Sequence, residues 1–564
     1  MGRLSGTSCR RKPVRLIERE ILAALAGFSS WLGLRGCREG RAWTGFVQKR
    51  IIPSPNLGMG LLIMPLSYQS LYCQRLSPTT TTLDSSIRLS FQLGLNFKVT
   101  FKNKEDVEAL GPVSTHSQQG QVLEDPNASY DAVFGEIKEG GPNYRNVGWK
   151  GTVALMMKTQ IGLGVLSIPG VFDVLGIVPG VIALCCIAAI TTWSDYIVGV
   201  FKLRHPEVYG IDDVGRLLFG RVGREFFGIV FCLYWIFVAG SGMLGASIAL
   251  NSVSLHGACT AGFVAIAAAI GFCFGSIQTL GKITWFAWVG LICIMSAIFT
   301  VTVAVGVQDR PAAAPQTGHW TSDYKVASSA LSTLVFAFAG TPAFFSIVSE
   351  MRDPRHYTRA LVICQGGVTA TYIAIGCVVY YFCGSYVASP ALGSAGATMK
   401  RVCYGLAFPG LIVTTTLVIH LPAKYIFIRL LRGSRHLTEN TMKHWGIWLA
   451  CTASIAIIAY VIASSIPVFD GLVALVGALF GTLLSFQPMG CMWLYDHWAE
   501  GKLEKRPRWI AMVCFSCFVV ISGTFLMIAG AYGSVVGIMD SYKKSGGSAA
   551  FSCADNSNSV SSAH

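Results

Sequence analysis

Lys158-Thr-Gln-Ile-Gly-Leu-Gly-Val-Leu-Ser-Ile-Pro-Gly170 lies inside the first long apolar run of this chain. Gly162 and Gly164 weaken a helix, and Pro169 removes a backbone donor. In water such a stretch is an ordinary turn. In a bilayer no water replaces the lost hydrogen bonds, so the break survives only if it is buried in protein or lines a cavity. A second interruption, Phe336-Ala-Phe-Ala-Gly-Thr-Pro-Ala-Phe344, falls in the sixth apolar run. A packing kink would account for either break alone. Two at corresponding places in two halves of a membrane protein point to a substrate site.

The composition agrees with a membrane setting. Of 564 residues, 52% are hydrophobic and 13% charged. Apolar runs of roughly 20 residues recur from Trp149 onward, which makes the chain an all-α polytopic membrane protein. Counting them gives about eleven spans, with limits near 150–174, 177–202, 224–250, 258–276, 282–307, 326–348, 359–386, 402–430, 443–464, 468–495 and 509–533. The net charge of +15 does not indicate nucleic acid. Its Lys and Arg residues fall in the N-terminal tail and in alternate short loops, as membrane orientation requires. Lys202, Arg204, Arg216, Arg221 and Arg224 follow span two; Arg352, Arg355 and Arg359 follow span six. This places the N-terminus in the cytosol and, with an odd number of spans, the C-terminus outside or in a lumen. Residues 1–145 read as a cytosolic tail, largely disordered or an extension foreign to the mature protein. Residues 146–540 form the membrane domain. The small polar residues of 541–564 read as a short disordered tail. Most of the 18 cysteines sit in apolar runs and read as small thiols that behave as apolar residues.

Two halves of five spans follow, plus one extra helix. An odd number of spans per half makes the halves opposite in orientation, and each half begins with a broken helix. At the first break the resuming helix presents free N–H groups and a positive dipole end, a natural seat for a carboxylate. At the second, Ala339, Gly340 and Thr341 are expected to expose carbonyls and N–H groups, with a hydroxyl from Thr341. Phe336, Phe338, Phe344 and Phe345 can shape an apolar pocket beside them. A zwitterionic amino acid needs both kinds of partner.

Ionisable residues within spans are individually informative. Lys158, one turn before the first break, either pairs with a carbonyl or an acid or snorkels to the interface. His420 lies mid-span eight and either relays protons or packs. Thr415, within Thr414-Thr-Thr416, either offers a hydroxyl to sodium or bonds its own helix. Asp195 and Glu350 read as residues of cytosolic helix ends, Glu350 as a gate partner of Arg352 or Lys158. No phosphate-binding loop, nucleophile elbow or metal-ligand cluster is legible, so neither an enzyme nor an ATP-driven motor is indicated.

Phe134-Gly-Glu-Ile-Lys-Glu-Gly-Gly-Pro-Asn-Tyr-Arg-Asn-Val-Gly-Trp149, the run Leu155 to Pro169 and the span-six motif resemble the amino acid/auxin permease family, in particular fungal neutral amino acid permeases of the N system type. The resemblance covers about residues 130–540. It implies a leucine-transporter-type fold with a five-plus-five inverted repeat and one further helix. It also implies symport of neutral aliphatic and aromatic amino acids, with a proton, or less commonly sodium, as coupling ion and no cofactor. By position, Ile161, Gly162, Leu163, Gly164, Phe338, Ala339, Gly340 and Thr341 would bind substrate. Some relatives carry a first-span His associated with proton coupling, which this chain lacks. The expected setting is the plasma membrane, with a vacuolar exporter or an amino acid sensor without net transport as alternatives. The expected partners are the amino acid and the lipid bilayer; the oligomeric state is not legible.

Overall fold

The computed structural model describes residues 86–91, 95–100, 129–131, 135–137, 145–308, 323–432, 434–437, 441–466, 469–504, 506–544 and 551–557. The tail expected over residues 1–145 falls almost entirely outside them. Two short hairpins are the exception: β1 (Ser86–Phe91) pairs antiparallel with β2 (Leu95–Thr100), and β3 (Ser129–Asp131) with β4 (Gly135–Ile137).

From Trp149 the chain is helical. Span one comprises Trp149–Gln160 and Ile168–Leu175, joined through a tight turn at Gly164–Ser167. Spans two to five are Ile177–Arg204, Ile211–Ser254, Thr260–Gly275 and Leu280–Val307. Span six is Tyr324–Phe338 followed by Thr341–Ser349. Spans seven to nine are Tyr357–Cys383, Ala397–Leu431 and Met442–Ser465. Span ten begins at Phe469–Val476 and passes through a wide turn at Gly477–Gly481 before continuing to Gln487–Glu504. Span eleven is Pro507–Lys544.

Both breaks fall where the sequence places them. Pro169 and Pro342 each sit in the first turn of the resuming helix, where a missing N–H costs nothing. The broken spans are the most buried, at 83% for span one and 94% for span six, whereas span eleven is 17% buried and lies at the periphery. Irregular backbone is thus kept away from lipid, as its unsatisfied groups require. Two halves of five spans, each opening with a broken helix, give the inverted-repeat organisation expected.

Three features depart from the reading. Span three is preceded by a short helical segment that turns at Gly220, whose φ of 70° suits glycine. Span ten carries a wide turn whose signal was Gly477 and Gly481. Among the described residues ten helices are long and apolar enough to cross a membrane, and the eleventh, Thr260–Gly275, has only 16 residues. At ~1.5 Å per residue that is about 24 Å, short of a typical hydrocarbon core.

A disulfide settles whether that helix crosses. Cys259 at its start is bonded to Cys553 in the C-terminal tail, so the two lie on one face of the membrane. Seven of the long helices separate them, an odd number, and the short helix makes the crossings even. The reading of the cysteines as thiols is corrected for this pair, because a pair 294 residues apart is invisible to local spacing, while the thirteen other described cysteines are free. The disordered tail expected from Ser541 is corrected too. Span eleven runs to Lys544, and residues 551–557 return onto the bundle. There Asn556 bonds Asn251 and Ser247, and the Thr260 hydroxyl donates to the Ala554 carbonyl.

Candidate functional site

The two breaks meet. The Tyr372 hydroxyl, from span seven, lies 2.9 Å from the carbonyl oxygen of Gln160 and 2.8 Å from that of Ala337. It joins the end of the first half of span one to the end of the first half of span six. Gln160 Nε2 donates to the Phe338 carbonyl at 3.3 Å, and the Tyr234 hydroxyl donates to the Ala339 carbonyl. Phe338 packs edge-on against Tyr372, with ring centroids 5.0 Å apart. Tyr234, Tyr372 and Gln160 were missed by the sequence reading. Their polar atoms matter only because the fold brings them to distant carbonyls, and nothing local marks that.

At the first break, Ile161 still closes a bond to Met157, but no backbone bond ties the amides of Gly162 and Leu163 to the preceding helix. Ile161, Gly162, Leu163 and Gly164 are all buried. Gly164 is there because of its neighbour: a Cβ would sit 2.5 Å from the Ala337 Cα. A Cβ on Gly162 would meet the Thr414 hydroxyl at 2.9 Å, and one on Gly340 the Thr159 hydroxyl at 2.7 Å. The glycines let spans one, six and eight approach at backbone distance.

At the second break Phe338, Ala339, Gly340 and Thr341 are buried as well. The carbonyls expected to be open here are bonded instead, Phe338 by Gln160 and Ala339 by Tyr234. Three buried polar atoms near the breaks remain without a hydrogen-bond partner: Gln160 Oε1, Thr341 Oγ1 and Asp195 Oδ1. Unpaired buried groups are costly and cluster where a ligand or proton completes them.

Lys158 does not snorkel. It is wholly buried, and its ammonium donates to Thr414 Oγ1 at 2.5 Å and to the Ile161 carbonyl at 3.1 Å. No carboxylate lies within ion-pair reach of it among the described residues. An amine donor is thus fixed between the first break and span eight. Thr414 makes this contact; Thr415, the neighbour singled out from sequence, bonds the Leu411 carbonyl of its own helix at 3.0 Å and faces span three. His420 lies away from the breaks, packed edge-on against Trp448 at 5.4 Å.

The ends of the broken spans nearest Val147 and Glu350 are sealed. Val147 N donates to the Glu350 carbonyl at 3.2 Å, and Arg352 N to the Val147 carbonyl at 2.9 Å. Glu350 is wholly buried rather than interfacial, and its partner is Lys424 at 2.5 Å, not Arg352 or Lys158. Tyr209 adds a hydroxyl to the same carboxylate at 3.4 Å. Lys424 was legible as an intramembrane lysine of span eight, four residues beyond His420. At the opposite end the structure is more open. A cavity of about 370 Å³ runs between spans one, six, ten and eleven, with Ser167, Thr333 and Asp470 on its walls. Ser167 donates to Asp470 at 3.3 Å across it. One end closed and the other hollow is the asymmetry that alternating access requires.

Residues 145–535 match the family model described as transmembrane amino acid transporter protein. A transmembrane transporter of Gibberella moniliformis is 31% identical over 449 residues, covering 77% of this chain and 94% of that protein. The N amino acid transport system protein of Neurospora crassa is 31% identical over 428 residues, covering 74% and 91%. Among solved structures, a substrate-bound outward-open Na+-coupled sialic acid symporter is 12% identical with a TM-score of 0.49, covering 71% of this chain and 93% of that one. MhsT in complex with L-phenylalanine is 13% identical with a TM-score of 0.45, covering 69% and 98%.

Proposed function

The chain belongs to the transmembrane amino acid transporter family, and from that premise we propose that it is a proton-coupled symporter of neutral aliphatic and aromatic amino acids. Membership makes it a membrane-embedded amino acid transporter and not an enzyme. The finer reading is carried by one observation: the two unwound segments lie against each other deep in the bundle, bridged by Tyr372. The free amides of Gly162 and Leu163 suit a substrate carboxylate, and the unpaired Gln160 Oε1 suits an ammonium. Phe336, Phe338 and Phe344 supply apolar surface for an uncharged side chain. The name borne by the Neurospora crassa relative agrees with an amino acid substrate.

The geometry at Lys158 supports a proton over sodium. Its ammonium already occupies the place between the Ile161 carbonyl and the Thr414 hydroxyl, the kind of oxygen pair that would otherwise suit a small cation. The basic loops support a cytosolic N-terminus. The Cys259–Cys553 bond then lies on the opposite face, where disulfides persist. A plasma-membrane location follows as the reading to test.

The experiment is uptake of labelled leucine and phenylalanine in cells lacking their own permeases, with and without an uncoupler and with and without sodium. The expected result is accumulation that the uncoupler abolishes and sodium withdrawal leaves intact. Sodium-dependent accumulation would overturn the proton assignment. Absence of uptake by protein present at the cell surface would overturn the substrate class.

A further inference from the structure

Span two carries a buried acid that the reading above does not use. Asp195 is wholly buried, nine residues before the helix ends at Arg204. At ~1.5 Å per residue this is about 14 Å below the cytosolic end of the helix. Its Oδ2 accepts from Gln365 Nε2 of span seven at 2.5 Å, and its Oδ1 has no hydrogen-bond partner. Thr341, the first residue of the helix that resumes after the second break, lies beside the same carboxyl, with its hydroxyl lacking a regular hydrogen bond. From span seven, Tyr357 donates to the Asp195 backbone carbonyl at 2.9 Å, and the Cys364 thiol is the other titratable group nearby. On its own helix, Lys202 is engaged with the carbonyls of Pro206 and Val208. Asp496 of span ten faces Arg204 and His205 at the cytosolic end. Among the described residues no Lys, Arg or His lies within ion-pair distance of Asp195.

An ionised carboxylate in that setting, with no cation, is expensive. The neighbouring groups suit both of its states. Gln365 donates to the carboxylate, and its own Oε1 is unpaired. Rotation of the amide would present that oxygen to a carboxylic O–H. Gln365 and Tyr372 are seven residues apart and lie on one face of span seven. The acid therefore connects, through one helix face, to the hydroxyl that holds both breaks together.

We propose that Asp195 carries the coupled proton. A proton arriving from the outer side forms an O–H bond on its carboxyl while substrate occupies the breaks. That bond breaks to cytosolic water when the Val147–Glu350–Lys424 seal opens, and the acid returns as a carboxylate held by Gln365. Carrying the proton beside Thr341 ties the protonation state to the shape of the second break. This rests on the proton-symport reading.

The test is the full chain reconstituted in vesicles, comparing wild type with Asp195→Asn, an isostere of the protonated acid. Two assays are read: exchange of labelled leucine between equally loaded sides, and accumulation driven by an inward proton gradient. Asp195→Asn is expected to keep exchange, while its accumulation ratio falls to about 1, the equilibrium value for a carrier with no driving ion. Asp195→Glu is expected to keep accumulation. Proton-driven accumulation by Asp195→Asn beside a coupled wild type overturns the proposal and leaves the symport reading standing. A wild type indifferent to the proton gradient overturns the symport reading and this proposal with it. Should Asp195→Asn fail to insert, Gln365→Leu reads the same point. Loss of the donor that favours the ionised acid is expected to move the pH midpoint of uptake upward, and an unchanged profile overturns the proposal.

Discussion

The two breaks look alike in sequence and differ in what their backbones offer. At the first, the Gly162 and Leu163 amides are free of the preceding helix, and the Lys158 ammonium is fixed beside them. At the second, the carbonyls of Ala337, Phe338 and Ala339 are bonded by Tyr372, Gln160 and Tyr234. The first break presents donors. The second is a braced hinge with aromatic walls and the Thr341 hydroxyl set beside the Asp195 carboxyl. A broken membrane helix thus needs its own solution for each orphan group, and the solution decides its role.

Three substitutions break or sharpen that comparison. Gly164→Val attacks what the breaks share, because any Cβ there runs into the Ala337 backbone. Overpacking of this kind costs about 3 kcal/mol, so the protein is expected to lose surface expression and thermal stability in detergent. Normal expression would show that the two segments can separate. Lys158→Met removes the amine donor and keeps much of the volume. The protein should still reach the membrane, with leucine affinity down by about ten- to hundredfold, the worth of a charge-assisted hydrogen bond. An unchanged KM would detach Lys158 from the first break. Tyr234→Phe leaves the Ala339 carbonyl unpaired at the second break. About 1 kcal/mol is at stake, read as a rise in KM of about fivefold with expression intact. An effect larger than that of Lys158→Met would reverse the roles assigned to the two breaks.

Helix positions and both interruptions were legible because they depend on local quantities: apolar length, glycine, and the missing N–H of Pro169 and Pro342. The loop charges predict an orientation for the same reason. Local reading failed where a residue's state depends on what packs against it. Asp195 and Glu350 lie near the ends of their helices in sequence and looked interfacial, yet both are wholly buried. Thr414 and Thr415 are neighbours of one type; helical rotation turns the first toward Lys158 and the second toward span three. Lys424 finds Glu350 74 residues away, and Cys259 finds Cys553 294 residues away.

The sequence by itself determined that this chain crosses a membrane many times and breaks two central helices, because a bilayer penalises every unpaired backbone group in the same way wherever it occurs. Only the tertiary structure decided which side chains answer those groups, where the buried lysine amine sits and which carboxylates have no cation beside them. Such pairings depend on distances of a few ångströms between segments that no local pattern connects.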